Sequence, residues 1–281
     1  MLNAALQTVA NQLAIGGELI AAPLGQGLSN HTWLLRGADD AVVVRQWRPL
    51  DGTRRLRPEF EISLWRAAAA RNLAPEILWA DVAQGVVAAE FLGDARPWTD
   101  RDFSNRDNWP RLSRLMSRFN ELNHPLPKYS PLAAAQAYTT GLMGETLTSW
   151  EQAQRDELLR LSAEYERDNA ATVICHNDLL PANVLELPGG GLRLIDFEYA
   201  GRGHGVFDWA TIAAFGDLDG PDRNELLNVM SRDTVLRPEV FPAAVRLVRL
   251  LAYFWSRVRL LNCPTDTGLA VLQQRMQAAL D

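Results

Sequence analysis

The sequence predicts an α+β fold of two unequal lobes: a small β-rich lobe over residues 1–92 and a larger, mostly helical lobe over residues 93–281. Three observations predict it. Before Gly93, short β-rich segments alternate with turns. After Gly93, apolar residues recur mainly at helical spacing in four long stretches. One β–loop–β segment near residues 173–196 interrupts those helices and gathers the residues suited to chemistry.

Taken in order, Leu2, Leu6, Val9, Ala10 and Leu13 recur at helical spacing, and Gly16-Gly17 stops that helix. Leu19–Leu24 reads as a strand running into Gly25-Gln26-Gly27. Thr32–Leu35 and Ala41–Arg45 are β-rich around a turn at Gly37-Ala38-Asp39-Asp40. Glu59–Asn72 reads as a helix with Phe60, Leu64, Trp65 and Ala68 on one side. Ile77–Ala80 and Val86–Phe91 are two further strands. In the larger part, Trp109–Leu122, Thr148–Arg167, Glu225–Ser231 and Pro242–Leu261 read as helices. Val173–Cys175, Val184–Leu187 and Leu192–Ile195 read as short β segments.

Composition narrows the function. The chain has 281 residues, is 47% hydrophobic and 22% charged, and carries a formal net charge of -6, which suits a folded soluble protein. Its 28 basic residues include one lysine, Lys128. A Walker A loop needs a lysine behind glycines, and Lys128 has none beside it. A Schiff-base enzyme would depend on that same residue. The acidic balance argues against a nucleic-acid partner, and the Arg54, Arg55, Arg57 cluster is too short to change that. Cys175 and Cys263 make no disulfide framework and read as small buried hydrophobes. The first residues lack a basic leader region, and no apolar run is long enough to span a bilayer. A soluble, cytoplasmic protein with no membrane partner is expected.

The informative stretch is His176-Asn177-Asp178, four residues, then Asn183, followed by a glycine turn at 189–191 and Asp196-Phe197-Glu198-Tyr199. Phosphoryl transfer explains why these types belong together. One carboxylate orients a hydroxyl and accepts its proton, while a second carboxylate and an amide oxygen hold Mg2+ on nucleotide phosphates. The spacing matches the protein-kinase catalytic loop and its Asp-Phe-Gly metal motif, with Glu198 in place of the glycine. Upstream, Gly25, Gly27, Ser29 and Asn30 lie between two strands, where main-chain N–H groups meet phosphate oxygens. Arg45 stands where kinases carry the strand lysine, and a guanidinium also binds phosphate. Glu61 or Glu59 is its expected ion-pair partner, with spacing favouring Glu61. Glu90, Phe91 and Leu92 end the last strand of the small lobe, where backbone would face an adenine.

Together, the glycine loop, Arg45, the helix glutamate, "HNDLLPANVL" and "LIDFEYAG" resemble the aminoglycoside phosphotransferase and choline kinase superfamily of protein-kinase-like bilobal folds. The "HND" and "EYA" elements are most similar to its choline/ethanolamine kinase and bacterial thiamine kinase branch. The resemblance implies ATP- and Mg2+-dependent phosphorylation of a small molecule's hydroxyl. It implies Asp178 as catalytic base, Asn183 and Asp196 as metal ligands, and Arg45 with Glu61 as phosphate clamp. Many family members have Leu-His late in the first large-lobe helix; here the chain reads Leu122-Asn123-His124.

The acceptor is expected to contact Glu198, Tyr199 and Trp255, the last on a helix where choline-kinase-like proteins carry acceptor-binding aromatics, as is Tyr253. Carboxylates and aromatic faces suit a cation. Residues 1–92 hold 8 Arg against 9 acidic residues, which leaves 20 against 25 in the remainder. That balance also suits a cationic acceptor such as choline, ethanolamine or thiamine. An aminoglycoside or sugar acceptor, and a nucleotide-binding pseudokinase scaffold, remain as alternatives. Asp208 is expected to support the catalytic loop, and His204 to serve a turn.

Overall fold

A computed structural model describes residues 3–24, 30–47, 56–167, 172–230 and 238–281. Gly25, Gly27 and Ser29, the glycine-loop residues of the sequence reading, lie outside the described residues.

The chain opens with α1 (Ala4–Gln12), capped by Asn3, whose side chain accepts from the Leu6 amide at 2.9 Å. Strands β1 (Ile20–Pro23), β2 (Asn30–Arg36), β3 (Ala41–Trp47), β4 (Ile77–Asp81) and β5 (Val86–Glu90) form one antiparallel sheet in the order β1-β2-β3-β5-β4. Between β3 and β4 lies α2 (Pro58–Ala69), with Pro58 in its first turn, where a missing N–H costs nothing.

Side chains alternate across a strand, so the sheet has two different faces. Val42 and Val44 of β3, with Val86 and Ala88 of β5, pack on Leu6 and Val9 of α1. Val87 and Ala89 point the other way and join Leu64, Trp65 and Ala68 of α2. Arg45 follows Val44 and falls on the α2 side. A charged residue is therefore carried into the interior by strand period alone, and it is only 5% exposed.

The remainder begins with β6 (Arg96–Pro97), α3 (Asp100–Ser104) and α4 (Trp109–Asn120). Next come α5 (Pro131–Gly141), α6 (Ser149–Arg167), β7 (Val173–Cys175), β8 (Val184–Glu186), β9 (Leu192–Leu194) and β10 (Gly201–Gly203). The chain closes with α7 (Val206–Phe215), α8 (Gly220–Met230), α9 (Phe241–Asn262) and α10 (Thr267–Leu280). β8 and β9 pair antiparallel through Gly189 and Gly190, whose φ values of 86° and 85° favour glycine. β10 pairs with β7 and is also clamped to the 127–129 segment, since Arg202 N donates to Pro127 O and Tyr129 N to Arg202 O, both at 2.9 Å. A Cβ at Gly201 would lie 3.1 Å from Pro127 O, so this close approach favours glycine. Lys128 rides on the same segment with an exposed side chain.

Four helices were not legible as helices in the sequence: α3, α5, α7 and α10. The reason is clearest for α7, where only Phe215 of the ten residues is not buried, so no polar face marks a period. Cys263 also departs from expectation: Cys175 is buried, but Cys263 is partly exposed. No helix among the described residues is long and apolar enough to cross a membrane.

Candidate active site

The segment 176–183 leaves β7 at Cys175 and is fixed from beneath. Asp208, in the first turn of α7, accepts the main-chain N–H of His176 at 3.0 Å and of Asn177 at 2.7 Å. Asn177 takes φ 59°, a left-handed conformation that asparagine tolerates better than most residues. Its amide donates to Tyr199 O at 3.0 Å. His176 is fully buried between the Phe119 and Phe197 rings, with its Nε2 3.0 Å from Ile195 O. Burial pushes the imidazole down to about 4. The loop carrying Asp178 and the turn carrying Asp196 are thus braced against each other by polar contacts.

Asp178 and Asn183 meet directly. The Asn183 amide donates to Asp178 O at 2.8 Å and to its carboxylate Oδ2 at 3.2 Å. Burial pushes the Asp178 carboxyl up to about 7; Asp196 and Asp208 add to the rise and the Asn183 bond opposes it. Such a group sits near the protonation balance that general-base chemistry at neutral pH requires. Asp196 follows β9 with φ 65° and is held there by its neighbours: Ile195 N donates to Asn183 O and Ala200 N to Phe197 O.

From the sheet side, Arg45 reaches both carboxylates. One terminal nitrogen bonds Glu61 Oε1 and the other donates to Asp196 Oδ1 at 2.8 Å. Glu61 is buried on α2 and also accepts from Trp47 Nε1 at 2.9 Å. Glu59, the competing candidate, is exposed. Burial lowers the tendency of Arg45 to hold its proton, but Glu61, Asp196 and Glu198 more than offset this, so the guanidinium is a permanent cation. Asn30, the first residue of β2, donates to Glu198 Oε2 at 2.9 Å.

These groups share one cavity of about 290 Å³, lined among others by Arg45, Asp178, Asn183, Asp196 and Glu198. Tyr199 and Trp255 line it too, whereas Tyr253 does not. Tyr253 is buried edge-on against Trp150 and donates to Glu151 at 3.2 Å. Trp98, Trp109 and Trp209 belong to the core. Glu90, Phe91 and Leu92 do not line the cavity; Phe91 lies under the Arg36 guanidinium, 5.2 Å away. His124 is not part of the cavity, and His204 packs edge-on against Tyr165 at 4.8 Å. Sequence reasoning missed Tyr129, Tyr138, Thr211 and Leu272 as lining residues. None of the four had a usable signal: they come from separate segments, and Thr211 sits on a helix buried on nearly every side.

The donor set fits Mg2+. Asn183 and Asp196 both line the cavity, and an amide oxygen with one carboxylate is hard oxygen chemistry. Among the described residues there is no cluster of three or more His, Cys, Asp or Glu able to cage a metal.

Residues 20–234 match the phosphotransferase enzyme family. The chain belongs to that family. None of the curated proteins matches it. Among solved structures, the phosphotransferase is similar to choline kinase LicA from Streptococcus pneumoniae, with 17% identity, TM-score 0.80, and 98% and 96% of the two chains covered. It is similar to a choline/ethanolamine kinase family protein from Mesorhizobium loti, with 21% identity, TM-score 0.77, and 98% and 92% covered. A microcompartment-associated aminopropanol kinase aligns at 19% identity and TM-score 0.69, over 98% and 95%. These likenesses establish a kinase-like fold, an antiparallel-sheet N-terminal part on a helical C-terminal part.

Proposed function

We propose that this phosphotransferase moves the γ-phosphoryl group of ATP, with Mg2+, to the hydroxyl of a small cationic molecule of the choline/ethanolamine or thiamine kind. The observation that carries this reading is the convergence of Asp178, Asn183, Asp196 and Arg45 on one cavity. In the reaction the acceptor oxygen forms a bond to phosphorus as the bond to the bridging oxygen breaks, and ADP leaves. Asp178 receives the hydroxyl proton. Asn183 and Asp196 would hold Mg2+, which would supply charge neutralisation on the phosphates. Arg45, oriented by Glu61, holds a phosphate oxygen, and Gly25, Gly27, Ser29 and Asn30 offer further donors. The backbone of Glu90, Phe91 and Leu92 meets the adenine. Glu198, Tyr199 and Trp255 face the acceptor.

Solved structures of LicA with AMP and of a spectinomycin phosphotransferase with ADP support nucleotide use by this fold. The lobe division at residues 92 and 93, with the nucleotide held mainly by the first lobe, belongs to the same proposal, as does a cytoplasmic location. The test is purified protein with Mg-ATP and a panel of choline, ethanolamine, thiamine, an aminoglycoside and a sugar. Turnover above ATPase background on the first three is expected. Absence of turnover on all of them would sink the reading.

A further inference from the structure

The cavity beside Asp178 has two chemically different halves. Its charged lining residues, Arg45, Asp178, Asp196 and Glu198, come from β3 and the segment that follows β7. Beyond them the wall is built by Tyr129, Tyr138 of α5, and α7, α9 and α10, which contribute no charged side chain to it among the described residues. On α7, Phe207, Thr211 and Phe215 stand four residues apart on one face. At about 1.5 Å rise per residue, that face runs beside the cavity for roughly 12 Å. Val248, Leu251 and Trp255 form a matching stripe on α9, and Leu272 of α10 adds to it. The Thr211 hydroxyl is already committed, donating to Phe207 O at 3.1 Å. On α9 itself, Arg257 and Tyr253 turn to Glu151 and do not line the cavity.

This division sorts the acceptors. A methyl group on nitrogen cannot extend along 12 Å of helix face. A sugar or aminoglycoside would bring hydroxyl and ammonium groups against Phe215, Leu251 and Leu272, where they would lose water without gaining partners. An alkyl or aryl group gains on burial there, about three- to fourfold in affinity for each methylene. Negative charge is confined to the end where the hydroxyl must react, so a cationic nitrogen belongs near that hydroxyl and not at the far end.

We propose that the acceptor is a cationic alcohol whose charged nitrogen lies close to the hydroxyl and carries an alkyl or aryl substituent, which lies along α7 and α9. This rests on the reading of the protein as a small-molecule kinase. It narrows that reading from compact ammonium alcohols to those with an apolar extension.

The test compares choline with its N-butyl and N-benzyl homologues (one methyl replaced) and with an aminoglycoside. Binding is measured by calorimetry, and kcat/KM is measured with Mg-ATP. The homologues are expected to bind at least tenfold more tightly than choline and to be phosphorylated with at least tenfold higher kcat/KM. Ala252→Leu, which narrows the apolar half, should reduce the ratio of N-butyl homologue to choline. Leu272→Ser, at a partly exposed position tolerant of change, should reduce the same ratio by a different route. A ratio within twofold of one in the unmodified protein, or preference for choline or the aminoglycoside, overturns the inference while leaving the kinase reading intact. Tight binding of the homologues with no phosphoryl transfer to any acceptor overturns the kinase reading and upholds the apolar half as a ligand site. Neither binding nor turnover with the homologues overturns the inference.

Discussion

Asn30 and Glu198 are 168 residues apart in sequence, yet the Asn30 amide donates to the Glu198 carboxylate at 2.9 Å with both side chains buried. The bond joins the start of β2 to the segment two residues past Asp196. A hydrogen bond to a charged group contributes about 1.5–3 kcal/mol. Asn30→Ala is therefore expected to lower the thermal midpoint by several degrees and to raise KM for ATP. Scanning calorimetry with an unchanged midpoint would show that the bond adds nothing to stability.

Arg45 uses a fork that lysine lacks, spanning Glu61 and Asp196 at once. Arg45→Lys should keep activity but weaken apparent ATP affinity about tenfold, or about 1.4 kcal/mol. Arg45→Met leaves Glu61 buried without its cation and should destabilise the fold by roughly 3–5 kcal/mol. Urea denaturation separates this from a catalytic loss. Equal ATP affinity in Arg45→Lys would reject the clamp.

Asp178→Asn removes the group assigned to accept the hydroxyl proton while keeping its size. A fall in kcat of about a hundredfold or more is expected, with a native circular dichroism spectrum. Unchanged kcat would move the base elsewhere.

Asp208 touches no reacting group and acts through the loop above it. Asp208→Asn replaces one acceptor oxygen with a donor facing a main-chain N–H. The catalytic loop should shift, and kcat should fall about tenfold to a hundredfold. KM for ATP should change little, because Arg45 and Glu61 are anchored on other elements. A loss confined to KM would contradict this positioning role.

His176 makes stability depend on pH. Its folded value, lowered to about 4 by burial, lies below the unfolded value near 6.5. The facing groups are the Phe119 and Phe197 rings, Ile195 O and the nearby Asp196. The unfolded chain binds the extra proton, so the contribution is complete above about pH 6.5 and is lost as pH falls through about 4. The loss is on the order of 3 kcal/mol. Asp178 and Asp208, whose carboxyls burial pushes up to about 7, act in the opposite direction, so the His176 contribution is read as the difference in urea midpoint between the unmodified protein and His176→Leu at pH 7, 5.5 and 4. That difference should fall toward pH 4; a constant difference would assign the dependence to carboxylates.

The candidate catalytic residues that share the cavity were legible because their signals are local. Asp178 and Asn183 share a loop of six residues, Asp196 ends the next strand, and strand period carries Arg45 to the α2 face. Spacing favoured Glu61 over Glu59 without deciding between them; the Arg45–Glu61 ion pair decides it. The far wall of the cavity was legible only at Trp255. Tyr129, Thr211 and Leu272 come from three separated segments, and packing alone brings them there. α7 hid its role for the opposite reason: burial on nearly every side erased the period that would have revealed it. The Asn30–Glu198 bond had no sequence signature, since nothing local pairs residues so far apart.

The exposed Lys128 has a practical consequence. It is the only lysine in the sequence, and the next residue, Tyr129, lines the cavity. An amine-directed dye would therefore find a single lysine target, on a segment clamped to β10 and adjacent to the chamber. Once labelling at the α-amino group is separated out, a change in emission on adding an acceptor would report its entry with no engineered attachment point.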